Sequence, residues 1–565
     1  MFTTSFKATK ARLIKSCDED EILELSPQCL PESYSLAELY GELVGHDEKQ
    51  TANDELQNIF IIHSCLRESP RLQRKGGDEE YVAKLSLWIS KVILPTAEIV
   101  IYDDAPEDST NASRQKALHA VRRKGVLGLQ SLLKLLTLSD HSQPSTAISN
   151  QILISILAFT SPRDIWSTPT SLSTTAELLA VPSIQRTLQE PEFIPADVLQ
   201  RFIRPLFSAS KPSTVTSAGR KAMPTSAPLK RYDFNEERAN KPWMYEKVYA
   251  ITILEWAVGA ISTTTLQTTW PLILPPLLTI LDTPATPILT RGLSLTTTLL
   301  PKLPLNALSQ TGLASVFFDA IVPTTLHLPS ITPLSESLEI LPLAYEALFT
   351  LYDVQFSPLT SSPALPHKAQ HSQIQIQLET TRSAAQEKAR LAFLTTFLRK
   401  TILQTYLHAS SHPPIVSLLI LEFSTLITKM GIHFTKHLKD IMPILASVLT
   451  DPFMGARLDD VLGALRTFKV LVLNCWVRIR EGWREEGVRM LVCAWVAVRE
   501  IEGEGSMDGK RSALVEKVKE EIRVTGRVFA KAVEGREVDL REELMPLLDV
   551  DEGIGEIFGF RDLDT

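Results

Sequence analysis

The sequence predicts an all-α protein, a HEAT-like helical-repeat solenoid with irregular repeats. Three observations carry that prediction. Apolar residues recur at steps of three or four along extended stretches, which lays an apolar stripe on a helix. Alternating apolar and polar runs bounded by turn residues are scarce, so little β-sheet is expected. Two segments read as a helix, a tight turn bearing aspartate and proline, and a second helix.

The 565 residues are 44% apolar and 22% charged, enough for a sizeable buried core. Polar breaks, often with proline, fall near Asp103–Arg114, Ser139–Thr146, Ser208–Lys241, Ser357–Gln373 and Glu502–Lys510. The break Ser208–Lys241 is the longest and contains Pro212, Pro224 and Pro228. A structureless stretch of that size is uncommon inside a compact fold and marks a boundary. The expected organisation is an N-terminal helical region (1–207), a Pro/Ser-rich linker (208–241), a HEAT-like region (242–500) and a C-terminal helical segment with an acidic tail (501–565).

Within this frame Tyr245, Tyr249, Ile253, Trp256 and Ala260 share one helical stripe. Phe434, Leu438, Ile441, Leu445 and Val448 share another. The first repeat unit runs from Trp270 to Pro304. Its first helix should reach Leu281, Asp282 and Pro284 should make the turn, and the second helix should begin near Pro287. The second unit runs from Leu438 to Cys475, with Asp451 and Pro452 at the same place. Pro275, Pro276 and Pro443 inside the first helices predict bends. One such pair cannot bury its apolar face alone, so stacking is expected.

No phosphate-cradling glycine loop and no nucleophile elbow occur in the sequence. His408/His412 and His433/His437 have i, i+4 spacing, but neither pair has the adjacent glutamate of a zinc protease or an evident third ligand. His412 precedes Pro413-Pro414, which should end the helix before it. All four are expected as surface or helix-end histidines, and no metal, cofactor or catalytic residue is predicted. The five cysteines are odd in number and widely spaced, which suits reduced thiols in the cytoplasm and nucleus. With a net charge of −8 and basic groups (Arg122-Arg123-Lys124, Arg399-Lys400) inside helical patterns, nucleic acid is not an expected partner. The N-terminus lacks an apolar secretory core, and no stretch reaches ~18 uninterrupted apolar residues, so no membrane span is expected. The tail carboxylates Glu537, Asp539, Glu542, Glu543, Asp549, Asp551 and Glu552 read as a solvated helix and an acidic end.

One segment has the composition of a binding surface. Trp476, Ile479 and Trp483 fall on one stripe, with Arg478, Arg480 and Arg484 beside it. Tryptophan and arginine are enriched at interface hot spots, which makes Trp476, Arg480 and Trp483 candidate partner-binding residues. Core packing with arginines reaching outward is the alternative.

The segments KPWMYEKVYAITILEWAV (Lys241–Val258), WPLILPPLLTILD (Trp270–Asp282), RGLSL (Arg291–Leu295) and the stretch Thr311–Leu348 follow one another at characteristic spacing. PSTVTSAGRKAMP (Pro212–Pro224) precedes them. Together, over Pro212 to Cys475, they resemble the Tel-two-interacting protein family, second type, in its fungal branch. The resemblance implies a non-catalytic subunit of the Triple-T (TTT) complex, with the Tel-two protein and a larger first-type interacting protein. It also implies a co-chaperone role. That role brings newly made phosphatidylinositol-kinase-related kinases, such as TOR and the DNA-damage-checkpoint kinases, to the ninety-kilodalton heat-shock chaperone system. No catalytic residue and no cofactor come with it. An apolar docking surface is expected on the C-terminal half. The competing reading is another HEAT-repeat adaptor, such as a nuclear transport receptor or phosphatase scaffold, against which the irregular period speaks.

Overall fold

The computed structural model describes residues 30–45, 51–74, 78–99, 107–140, 148–210, 238–304, 308, 312–356, 373–503, 509–534 and 539–560. Among the described residues there is no strand, and the one sheet-like feature is an isolated bridge between Tyr34 and Leu72. The protein is all-α. It divides into two compact units, Met1–Val316 and Phe317–Thr565.

The first unit opens with α1 (Leu36–Leu43), α2 (Ala52–Arg67), α3 (Asp78–Val92), α4 (Glu107–Asp140), α5 (Asn150–Leu157), α6 (Pro169–Leu179) and α7 (Pro182–Leu188). Local chemistry sets their starts. Ser35 with Glu38, Thr51 with Asp54, and Thr168 with Ser171 form reciprocal caps that satisfy orphan amides. The break expected at Asp103–Arg114 is narrower than the sequence suggested, because α4 already runs from Glu107. Glu107 and Asp108 follow Pro106, and acidic residues favour the positive end of a helix. A π-wound stretch, Phe193–Ile203, continues into α8 (Arg204–Phe207). Residues 211–237, the bulk of the Pro/Ser-rich break, lie outside the described residues. Then come α9 (Pro242–Tyr245), α10 (Ala250–Ala260), α11 (Thr263–Leu281) and α12 (Thr286–Leu299), and the boundary between the units falls within α13 (Leu313–Ile321).

Packing follows the rule of a stacked repeat. Helix α2 packs on α4 and α4 on α6, while α1 packs on α3 and α3 on α5. Each helix thus meets the next but one, and two rows share a core that no single pair could close. The stripe expected from Tyr245 to Ala260 is not continuous. Tyr245 ends α9 and Tyr249 precedes α10, so the helix phase restarts between them. Ile253, Leu254, Ala257 and Val258 form the buried face, whereas Trp256 is half-buried against Phe193 (6.3 Å) and Ala260 is exposed.

An ion cluster ties this unit together. Arg291 on α12 donates from Nη1 to Asp164 Oδ1 (2.6 Å) and from Nε and Nη2 to the Glu255 carboxylate (2.9 and 2.6 Å). Thr252 Oγ1 donates to Asp164 Oδ2 (2.6 Å) and accepts from Arg291 Nη2 (2.9 Å). The Asp164 side chain is 1% exposed, so the loop between α5 and α6 is pinned to α10 and α12 in a low-dielectric setting.

The second unit continues with α14 (Leu334–Phe356), α15 (Gln373–Phe397), α16 (Leu403–Ala409), α17 (Pro413–Met430), α18 (Leu438–Leu449), α19 (Leu458–Gly482), α20 (Arg484–Gly503) and α21 (Gly509–Val533). Two short helices close it, α22 (Leu540–Leu548) and α23 (Gly555–Phe558). Helices α17, α19 and α21 pack in succession, as do α18 and α20, with α18 against α19 and α20 against α21. Phe434, Leu438, Ile441, Leu445 and Val448 are all buried, as their spacing predicts. The stretch Pro413–Leu449 is long and apolar enough to cross a membrane by length and composition. It is not one uninterrupted α-helix, because Gly431 breaks it at φ +57° and a 3-10 turn, Gly431–His437, intervenes.

The acidic end is more than a solvated helix. Leu540 and Leu544 of α22, and Ile557 and Phe558 of α23, are buried, and α23 packs on α21. Arg484 pairs with Glu543 (2.7 Å) and Arg499 with Asp551 (2.6 Å), while Asp539 caps α22. The leucines and phenylalanines between the carboxylates supply the apolar face that the charge count hides. Glu537 lies outside the described residues.

Glu422 on α17 is half-buried, and among the described residues its carboxylate meets no cation. Burial pushes this carboxyl up from 4.5 to about 7. A folded value above the unfolded one means that the contribution to stability is fullest below the unfolded value and falls as pH rises through the folded one. Glu422→Gln is therefore expected to stabilise the protein by about 2 kcal/mol at about pH 8, allowing for the solvent-facing edge of the carboxyl, and by almost nothing at about pH 4. Urea unfolding at the two pH values reads this out, and equal gains at both would refute it.

Candidate partner-binding surface

Helix α19 presents one face inward and another to solvent. Leu465, Phe468, Leu471, Val472 and Ile479 are buried. Leu473 is 61% exposed and Trp476 43% exposed. Cys475 between them is non-helical (φ −123°, ψ 17°), so the helix kinks there. The Arg480 guanidinium lies 5.4 Å from the centroid of the Trp476 ring, a cation–π contact. Its neighbours are already neutralised: Arg478 pairs with Glu481 (3.3 Å), and Arg484 with Glu543 (2.7 Å). Arg480 has no carboxylate partner among the described residues.

The stripe read from sequence is thus divided. Trp476 faces solvent with Arg480 against it, Ile479 is core, and Trp483 is half-buried just past the helix end (φ −133°, ψ 12°), its N–H donating to Ile479 O (3.0 Å). The sequence singled out Trp476, Arg480 and Trp483 but missed Leu473. In the run Leu471-Val472-Leu473 apolar residues surround the helix, so periodicity cannot say which one faces water. Ile432, 57% exposed on the 3-10 turn, was missed because Gly431 breaks the helical phase before it. Its predecessor Gly431 lies beside α19, since a Cβ there would sit 3.9 Å from Asn474 Oδ1. The backbone at Gly431 (φ +57°, ψ −136°) suits glycine alone, and Gly431→Ala is expected to cost about 1–3 kcal/mol by thermal or urea unfolding. An unchanged midpoint would show that the turn relaxes freely.

The repeat turns differ in how they are held. Asp451 Oδ1 accepts from the Phe453 N–H (2.9 Å) and Oδ2 from Arg457 Nη2 (3.0 Å), with Pro452 exposed beside it. In the other turn Asp282 follows α11 as its cap residue, and Pro284 is exposed. There the closing bond is Asp282 N–H to Leu278 O (3.1 Å), and Thr283 Oγ1 donates back to Thr279 O (3.0 Å). Helix α11 ends at Leu281, and α12 begins at Thr286 with Pro287 in its first turn.

The other candidate chemistry is dispersed. His408 and His433 are exposed and His412 is half-buried. His437, expected at a surface or helix end, caps the start of α18 but is fully buried, 5.6 Å from the Phe434 ring, and burial holds its pKa below the usual value. Among the described residues no group of three metal-ligating side chains converges. Cys65 and Cys475 are buried, and burial pushes both thiols up to about 12, which suits packing rather than nucleophilic roles. Cys493 is half-buried, and Cys17 and Cys29 lie outside the described residues. A shallow open groove of about 650 Å³ runs along α15 past Leu391 and Thr395, with Lys388 and Lys436 at its edges.

Stacked helices in each unit define a helical-repeat protein. The chain belongs to the Tti2 family, whose family model matches residues 152–456, more than half of its length. Membership carries a role connected with the TTT complex and, in general terms, TTT partners. The match begins in α5, includes Asp164, Glu255 and Arg291, and ends in the turn before α19, so Trp476 lies beyond it. No curated protein matches the chain.

Proposed function

We propose that this chain is the non-catalytic, second-type scaffold subunit of the Triple-T co-chaperone complex. In that role it holds the Tel-two protein and the first-type interacting protein. Through them it supports the folding and assembly of phosphatidylinositol-kinase-related kinases with the ninety-kilodalton heat-shock chaperone, in cytoplasm and nucleus. The family match over residues 152–456 is the observation that carries the reading. The physics agrees: two rows of packed helices leave long outer faces, along which spaced contacts can add up. On the C-terminal unit Leu473, Trp476 and Arg480 supply an aliphatic, aromatic and cationic cluster of the kind that dominates interface energetics.

Affinity purification of the tagged full chain from its native cell tests this directly. The two Triple-T subunits and large kinases should co-purify. Recovery of small GTPases and nuclear-pore proteins in their place would move the chain to the transport-receptor class.

A further inference from the structure

We propose that the outer face of α19 receives an acidic amphipathic helix of a partner protein, whose apolar ridge covers Leu473 and Trp476 and whose carboxylate meets Arg480. The proposal rests on the adaptor reading above and specifies the chemistry of what docks.

Three features select that occupant. Trp476 and Arg480 stand at i and i+4 after the kink at Cys475, which places them on one helix face, and Leu473 is exposed just before that kink. A helix laid alongside presents its anchors at the same intervals. Leu473 and Trp476 are exposed although apolar, so covering them removes surface from water. Arg480 then sets the charge. Its guanidinium stands 5.4 Å from the centroid of the Trp476 ring, and no carboxylate among the described residues pairs with it. A carboxylate matches the guanidinium fork with two parallel hydrogen bonds.

The surroundings sharpen the sign. Arg478 and Arg484 already have Glu481 and Glu543, so the uncompensated charge of this face is positive on a chain whose net charge is −8. The neighbouring turn adds exposed Ile432, His433 and Lys436 and no exposed carboxylate. An acidic partner is repelled by most of such a chain and attracted here, which gives the contact its address. A free phosphate would satisfy Arg480 but leave Leu473 and Trp476 bare.

The test uses the full chain co-expressed with the Tel-two protein and the first-type partner, with capture measured at low and high salt. Leu473→Asp, Trp476→Ala and Arg480→Glu should each lower capture by at least about tenfold, and wild-type capture should weaken as salt rises. Arg480→Lys should keep part of it. Of the three side chains changed, Leu473 and Trp476 are exposed and Arg480 is half-buried, so the four variants should melt with the wild type, and circular dichroism checks that. Loss with Trp476→Ala but full capture by Arg480→Glu, indifferent to salt, would overturn the acidic occupant while keeping the docking face. Full capture by every variant would overturn the face and leave the family role standing. Self-association of the wild type that Trp476→Ala abolishes would assign the face to a second copy and overturn the proposal. No capture by the wild type would bring down the adaptor reading and this proposal together.

Discussion

Arg291→Met is expected to destabilise the unit Met1–Val316 by about 3–5 kcal/mol, a large share of any domain's stability. The side chain it removes is the sole cation facing two carboxylates in the described cluster, and one of them, Asp164, is 1% exposed. Burial already pushes the Asp164 carboxyl above its usual range, against the pull of Arg291 and the hydrogen bond from Thr252. Without the guanidinium, only the Thr252 hydroxyl is left to stabilise a buried negative charge. A carboxyl whose folded value lies above the unfolded one favours folding most at low pH, and that contribution falls as pH rises through the folded value. Removing Arg291 raises the folded value further, so the deficit of the variant should be largest near neutrality and shrink in mild acid. Arg291→Lys should recover little, since one ammonium cannot replace Nε, Nη1 and Nη2, each of which bonds a different oxygen. Combining Arg291→Met with Asp164→Asn should cost less than Arg291→Met alone. Chemical unfolding at two pH values measures all of this, and a single variant that unfolds like the wild type at neutral pH would show that the cluster is not under electrostatic stress.

That cluster also shows where sequence reading stops. Asp164 and Arg291 are 127 positions apart, and nothing local to either residue signals the pair. Local signals served well where the physics is local. Leu281 was legible as a helix end because Asp282 and Pro284 follow it, and Phe434 to Val448 as a buried stripe because its step stays at three or four. Phase failed where the backbone breaks it: at Glu246–Lys247, which divides the Tyr245–Ala260 stripe, and at Cys475, which turns Trp476 outward while Ile479 stays in. Charge density misled at the C-terminus, where the carboxylates of α22 and its following turn conceal Leu540, Leu544, Ile557 and Phe558. Of the candidate site, Trp476 and Arg480 were legible from residue type. Leu473 needed the packed neighbours, since burial is a property of what lies opposite, and Ile432 needed the break at Gly431.

Phe529→Ala is the second substitution with a large expected effect, about 3–5 kcal/mol lost from the C-terminal unit. Phe529 on α21 is fully buried and packs its ring 5.9 Å from that of Phe468 on α19. It fits because α20 offers no side chain at position 487. A Cβ on Gly487 would lie 2.4 Å from Phe529 Cε2 and 3.2 Å from Phe468 Cζ. The three helices therefore meet through two rings and a missing side chain, and truncating either ring leaves a void that packed neighbours fill poorly. The reverse change, Gly487→Ala, overfills the same space. It is expected to destabilise by about 1–2 kcal/mol, since the helix preference of alanine offsets part of the clash. Combined with Phe529→Leu, Gly487→Ala should cost less than the sum of the two single changes, because the smaller side chain vacates the volume that the new methyl enters. A double-mutant cycle by urea unfolding reads the coupling, and strict additivity would mean that the two positions do not share one space. The same packing holds α19 from behind, so Phe529→Ala should also loosen the helix that displays Trp476 and Arg480. Partner capture should then fall with the melting temperature, whereas Trp476→Ala should lower capture alone. Those two variants separate the surface from the core that supports it.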